Sequence, residues 1–300
     1  MRPGALGDTL MALPALAEAA GRASITFAGR GMGLFFLRPW TAAVCDLENP
    51  GWHRLFGPQI EHFELPIIPP DIVAAFFMNP QPNLLQNLHG WAPEASLHYF
   101  PSLPPDGPGH HVARHMAEGL AKAGLAVDPA RALQRCGRQA LVKTGYGPRP
   151  RETLLFHPGS GGREKNYDPA FWIECLRRLR VLPRFAALKP VCLLGPAEME
   201  RRSAFVQGAG FDLETALCPP PDSLAELLES TALYLGHDSG VTHLSAMAGT
   251  PTLAFFRRRN FALWHPLGPR VRVLYSPEAD EFLLRKAAAA AEKLAAPPHH

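Results

Sequence analysis

The chain has 300 residues, 47% of them hydrophobic, with 30 basic against 27 acidic side chains. A length of this order favours about two domains, and the apolar share is ample for well-packed cores. Residues 1–150 carry 12 basic and 11 acidic side chains and residues 151–300 carry 18 and 16, so neither half offers the basic surface that duplex binding needs and no nucleic-acid partner is expected.

In chain order, short apolar runs alternate with helix-like stretches. The predicted strands are Ile25–Ala28, Ile72–Met78, Leu97–Phe100, Thr153–His157, Val191–Gly195, Leu233–His237, Thr252–Phe256 and Val271–Tyr275. The predicted helices are Thr9–Ala20, His111–Ala123, Ala170–Leu182, Met199–Gly208, Ser223–Ser230, Gly240–Ala248 and Ala279–Leu294. Such alternation predicts βαβ units and parallel sheets, an α/β fold class. The stretch KTGYGPRPRE, residues 143–152, is rich in glycine, proline and charge. It reads as the link between two α/β domains, 1–146 and 147–300.

Three loops have the residues for chemistry. The first, RPGALGDTL from Arg2, has almost no strand ahead of it, although a βα loop follows a strand. Either the start lies upstream or most of a first strand is missing. Asp8 falls at or next to a helix N-terminus, where it serves as an N-cap or as a general base facing a cleft. The second, FHPGSGGREKNYDP (156–169), places Gly159 to Gly162 for an anion-binding nest, with Lys165 as a nearby cation. Glu164 directly precedes the lysine, so this is not a Walker A loop. The third, YLGHDSGVTHLSAMAGTP from Tyr234, ends a strand at His237 and opens a helix near Gly240 with Asp238 or Ser239 as cap. Free N–H groups and the helix dipole make that end an anion site. Thr242 and His243 add side-chain donors, His243 as a neutral imidazole. For the second and third loops the plain alternatives are a glycine turn and a capped helix with a satisfied histidine.

Weaker signals read as structure. FAGRGMG (27–33) has GxGxG spacing and is expected to be a turn rather than a dinucleotide site. His111 and His115 share a helix face without an acidic partner and are expected on a solvated surface. Arg257, Arg258 and Arg259 read as solvated loop, or as a contact for an anionic substrate at the ligand end of the sheet. Five scattered cysteines, no signal peptide and no apolar run near ~18 residues lead to an expectation of a cytoplasmic protein.

With the three loops in this order, the sequence resembles glycosyltransferase family 9, the lipopolysaccharide heptosyltransferase family. RPGALGDTL, HPGSGGREKNY and GHDSGVTHLSAMAGTPTLAFF carry the resemblance, which reaches Trp264, Pro266 and Gly268. It implies a GT-B fold, two Rossmann-like domains with parallel sheets facing across a cleft. It implies that the C-terminal domain binds a nucleoside-diphosphate sugar such as ADP-heptose, while the N-terminal domain presents the acceptor. By the family pattern Asp8 deprotonates the acceptor hydroxyl, which attacks the anomeric carbon with inversion. Ser160, Gly161, Lys165, Ser239, Gly240 and His243 surround the diphosphate or sugar. Asp238 binds sugar hydroxyls and Glu198 the ribose hydroxyls, with Glu200 as the neighbouring candidate. No DxD pair is present, so no metal or other cofactor is expected. A lipid-linked saccharide acceptor implies transient contact with the inner membrane. The sequence departs from the family in the short segment before the first loop, in Tyr167-Asp168 where Trp-Pro is usual, and in FFRRRNF where a Phe-Gly-Pro-Thr-like turn is usual. A catalytically inactive sugar-nucleotide-binding or scaffold protein of the same fold is the alternative.

Overall fold

A computed structural model describes residues 1–58, 64–79, 82–105, 110–142 and 149–296. They divide into two compact units, Met1–Arg135 and Cys136–His300.

The first unit runs α1 (Leu6–Leu10), α2 (Leu13–Ala19), β1 (Thr26–Gly29), α3 (Gly33–Leu37), β2 (Ala43–Asp46), β3 (Ile72–Phe77), α4 (Pro82–Trp91), β4 (Ser96–Pro101), α5 (Val112–Lys122) and the greater part of α6 (Pro129–Arg138). β1 pairs in parallel with β2, and β3 in parallel with β4, as two separate two-stranded sheets. The expected helix over Thr9–Ala20 is broken at Met11–Ala12, and Pro14 lies in the first turn of its second part, which starts at Leu13. Proline lacks an N–H and is tolerated in a helix's first turn. Gly31, at φ +64, makes the turn expected in FAGRGMG.

The missing strand has a two-residue counterpart. Phe76 N–H donates to Met1 O at 2.9 Å and the Met1 amine to Ala74 O at 2.6 Å, on the β3 side. Arg2 N–H donates to Ala28 O at 2.9 Å, on the β1 side.

The second unit runs β5 (Thr153–His157), α7 (Pro169–Arg180), β6 (Lys189–Leu194), α8 (Arg202–Ala209), β7 (Glu214–Leu217), α9 (Pro221–Glu229), β8 (Thr231–His237), α10 (Gly240–Met247), β9 (Thr252–Phe256), α11 (Phe261–Trp264), β10 (Val271–Tyr275) and α12 (Glu281–Ala295). Its strands form one sheet in the order β10-β9-β8-β5-β6-β7 with every pairing parallel. Numbered within the unit this is the doubly wound order 3-2-1-4-5-6, whose reversal point lies between the first and fourth strands. β5 and β9 are buried along their whole length, as expected of parallel strands covered on both faces. Phe156, Trp172, Phe205 and Phe255 centre the core between sheet and helices.

The division between the units falls within α6, earlier than the expected junction at 146/147. Leu141 and Val142 explain the difference. Both are buried, and both N–H groups donate to Met247 O, at 2.8 and 3.0 Å, which ties this segment to α10. Most of the expected linker, residues 143–148, lies outside the described residues.

Candidate functional site

β5 and β8 are adjacent, with His157 opposite Gly236. Both candidate loops of the second unit therefore leave the carboxyl ends of the two strands that flank the reversal point, where open α/β sheets bind ligands.

The loop after β5 passes through a 3-10 turn at Arg163–Lys165 and ends at α7. There Asp168 caps the helix through Ala170 N–H at 2.9 Å, and Pro169 occupies the first helical position. The nest expected at Gly159–Gly162 is not formed, because none of its glycines takes a positive φ. They permit close approach instead. A Cβ on Gly159 would overlap the Glu198 carboxylate, while Gly161 faces open space. Ser160 is buried, with Oγ 2.7 Å from Asn166 Oδ1, and it accepts Gly162 N–H at 3.4 Å.

The loop after β8 leads into α10, whose first residue is Gly240. Ser239 is the cap, accepting Thr242 N–H at 3.3 Å, so of the two expected caps Ser239 takes the role. Asp238 points elsewhere. Its Oδ2 lies 3.5 Å from Lys165 Nζ and accepts Asn260 Nδ2–H at 2.9 Å, and its Oδ1 lies 4.0 Å from His243 Nε2. Lys165, Asp238, Ser239, Gly240 and His243 thus converge on one helix N-terminus. His243 is buried, and its ring faces Trp264 at 6.4 Å between centroids.

His237 locks the two loops together. Its Nε2 accepts Tyr167 N–H at 2.8 Å. Burial and the neighbouring His157 push its pKa down to about 3, so the imidazole stays neutral and able to accept. Tyr167 in turn donates to Ser276 O at 2.7 Å. Glu198 sits beneath the loop after β5, next to Gly159, buried, accepting Gly195 N–H at 3.0 Å through Oε2. Glu200 is exposed at the surface.

In the first unit, Asp8 is not an N-cap. It occupies the third position of α1, where Arg2 Nη2 donates to Oδ1 at 3.0 Å. Arg2 is buried and also donates to Asp8 O at 3.0 Å and Ser102 O at 2.7 Å. A Cβ on Gly4 would overlap that of Asp8. The carboxylate is therefore fixed from two sides.

A profile of glycosyltransferase family 9 (heptosyltransferase) matches residues 89–293. The chain belongs to this family.

The chain is accordingly a glycosyltransferase of GT-B fold, α/β with parallel sheets. Solved structures agree on the fold. The glycosyl transferase family 9 protein from Veillonella parvula DSM 2008 is 17% identical with a TM-score of 0.68, covering 98% of this chain and 95% of its own. E. coli heptosyltransferase WaaC with ADP is 16% identical with a TM-score of 0.68, covering 98% and 100%. E. coli ADP-heptose lps heptosyltransferase II is 13% identical with a TM-score of 0.66, covering 98% and 97%. No curated protein sequence matches the chain.

This family 9 member also uses residues that the sequence did not single out. Asn166 holds Ser160 and Asn260 holds Asp238. The triple arginine lies in the loop after β9, where Arg258 and Arg259 are exposed, as expected of a solvated loop, and Arg257 is half-buried. Arg257 donates to Glu164 O at 3.2 Å, Asn166 O at 2.9 Å and Pro277 O at 3.1 Å, and its guanidinium lies 5.4 Å from the Tyr167 ring centroid. Arg258 pairs with Glu164 at 3.3 Å, and Arg259 lies 5.7 Å from the Tyr275 ring centroid. The only sequence signal was their place directly after β9, the strand next to β8. His111 is also corrected. It is buried and caps α5 by accepting Ala113 N–H at 3.1 Å, while His115 Nε2 lies 2.8 Å from Pro101 O. Among the described residues no group of three or more His, Cys, Asp or Glu is placed to hold a metal ion.

Proposed function

We propose that the protein is an inverting glycosyltransferase that moves a heptose from ADP-heptose, or a related sugar from another nucleoside diphosphate, to a lipopolysaccharide acceptor. The observation that carries this reading is the convergence of Lys165 and the N-terminus of α10 at the sheet's reversal point. A nucleoside diphosphate leaving group needs its growing charge met by fixed dipoles and a cation. Ser160, Gly161, Ser239, Gly240 and His243 line the same end and contact the diphosphate or sugar. Lys165 exchanges its Asp238 partner for a phosphate oxygen, which frees Asp238 for a sugar hydroxyl. Glu198 accepts from the ribose hydroxyls. E. coli heptosyltransferase WaaC with ADP-2-deoxy-2-fluoro heptose, 16% identical with a TM-score of 0.59, supports the choice of donor.

Asp8 is the base in this reading. Arg2 engages Oδ1, so Oδ2 takes the proton of the acceptor hydroxyl. The acceptor's hydroxyl oxygen bonds to the anomeric carbon as the carbon–diphosphate bond breaks on the opposite face, inverting the centre and releasing the nucleoside diphosphate. The positive charges that meet the leaving group are protein groups, and the reading assigns no metal. No described helix is long and apolar enough to cross a membrane. A lipid-linked acceptor would be met by transient contact at the inner-membrane surface.

The test is a thermal shift with ADP. At a ligand concentration about 100-fold above Kd, stabilisation of ~2.7 kcal/mol raises Tm by about 5–10 °C. Lys165→Ala abolishes most of that rise. No shift with any nucleoside diphosphate overturns the donor assignment, and a product that retains the donor's anomeric configuration overturns inversion.

A further inference from the structure

β8 and β9 are neighbours, with His237 opposite Phe255, so the residues that follow the two strands meet at the carboxyl end of the sheet. Asp238 leaves β8 there, and Asn260 comes from the loop after β9. Asn260 Nδ2–H donates to Asp238 Oδ2 at 2.9 Å, the same oxygen that lies 3.5 Å from Lys165 Nζ. Two groups therefore hold this carboxylate, and they are not equivalent. Lys165 is the cation that a diphosphate draws away. Asn260 is neutral and competes less for a phosphate, since charge-assisted bonds are the stronger ones.

Asn260 is itself fixed by the chain on either side. Its carbonyl accepts Leu263 N–H and Trp264 N–H, each at 3.0 Å, which closes the turn of α11. Three residues earlier, Arg257 donates to Asn166 O at 2.9 Å and ties this loop to the one after β5. The amide is used on its Nδ2 side, and among the described residues no donor meets Asn260 Oδ1. Asn260 is half-buried and the Asp238 side chain keeps 13% of its surface exposed, so neither is sealed from a ligand. Buried His243 stands on the other side, with Nε2 4.0 Å from Asp238 Oδ1. The adjoining carboxylate and amide offer acceptors on both side chains and one spare amide hydrogen. A carboxylate repels a phosphate, so this corner belongs to the neutral, hydroxyl-bearing part of a donor.

We propose that Asn260 is a donor-specificity residue: it bonds a ring hydroxyl of the transferred sugar directly, beside the hydroxyl that Asp238 takes, and so selects the configuration at that carbon. This role rests on the donor reading given above, in which the second unit binds a nucleoside-diphosphate sugar. Asn260 lies in FFRRRNF, where the chain departs from its family, so the selection is this chain's own. Its bond to Asp238 gives it a second effect. With Lys165 on the diphosphate, Asn260 keeps the carboxylate turned towards the sugar.

The experiment separates the direct contact from that brace. Isothermal titration compares ADP, ADP-glucose, ADP-mannose and ADP-galactose on the full chain and on its Asn260→Ala form. Mannose and galactose each differ from glucose at one hydroxyl. The parent is expected to bind one sugar at least about tenfold more tightly than its epimer, because a site built around a hydroxyl rejects a ligand that places it elsewhere. In Asn260→Ala the preferred sugar is expected to weaken at least about tenfold, its epimer less than about threefold and ADP less than about twofold, the pattern of a direct pairwise coupling. Equal weakening of all three sugars with the preference intact leaves Asn260 as a brace alone and overturns the proposal. So does a parent that binds ADP but shows no preference among the sugars. A variant that loses ADP while melting like the parent places Asn260 on the diphosphate and also overturns it. If Asn260→Ala melts lower, Asn260→Ser, which keeps a donor for Asp238, takes its place with the same readouts. A parent that does not bind ADP overturns the ADP donor assignment and this role with it, whereas the other outcomes leave that assignment standing.

Discussion

Single atoms decide most at Gly4, Asp8 and His237. The Gly4→Ala variant places a methyl where the Asp8 Cβ stands, and Asp8 cannot yield without leaving Arg2. Loss of a positioned base costs ~10²–10⁴ in rate. Gly4→Ala and Asp8→Asn are both expected to lower kcat by at least about 10²-fold, with the ADP-induced rise in Tm unchanged. An Asp8→Asn rate equal to the parent's would remove Asp8 as the base, and a parent with donor binding but no turnover would favour the inactive scaffold. His237 makes a separate prediction. Its folded pKa, about 3, lies below the ordinary histidine value, so the unfolded chain binds the proton first. The stability it supports is complete above about pH 6.5 and declines as pH falls towards 3, by up to about 1.4 kcal/mol per pH unit. His157 is shifted in the same direction by burial. A His237→Gln variant keeps an acceptor for Tyr167 N–H, so Tm plotted against pH should be shallower than the parent's between pH 6 and 4. An identical slope would contradict the neutral, buried imidazole.

At the scale of elements, the loop after β5 owes its shape to a neighbour distant in sequence. Arg257, leaving β9, supplies a planar fork of donors to the carbonyls of Glu164, Asn166 and Pro277. Lysine has no such fork. Arg257→Ala and Arg257→Lys are both expected to raise the donor KM about tenfold while leaving kcat within about twofold, because the loop loses its brace and the base is untouched. An unchanged KM in steady-state kinetics would show that the loop holds its shape alone. The sequence shows the ends of β5, β9 and β10 correctly; for β5 and β9 a continuous apolar run bounded by charge and proline marks a buried strand, whereas β10 is interrupted by the exposed Arg272 and only partly buried. It hides β2 and β7, four-residue strands only partly buried, because their side chains lack a strong pattern. It also hides α3, α4 and α6. The lone Gly33 permits α3 to approach Thr9, where a Cβ would stand 2.8 Å away, and that reason appears only once the chain is packed.

At the scale of the whole molecule, the chain is two compact units, and the donor reading belongs to the second. Hydrogen exchange with saturating ADP is expected to slow amides in residues 157–168 and 237–243, with little change over residues 1–135. Protection concentrated in the first unit would move the nucleotide site and remove the roles given to Lys165 and Gly240. What the amino-acid order determined by itself is the α/β class, the family, and the three loops, because apolar periodicity, glycine and capping residues act over a few neighbours. The packed fold alone decided that β5 and β8 lie side by side, that Asp8 is gripped by Arg2, and that Arg257 braces the loop after β5. Those outcomes depend on contacts between residues far apart in the chain, and no local pattern encodes which distant partner fills the space.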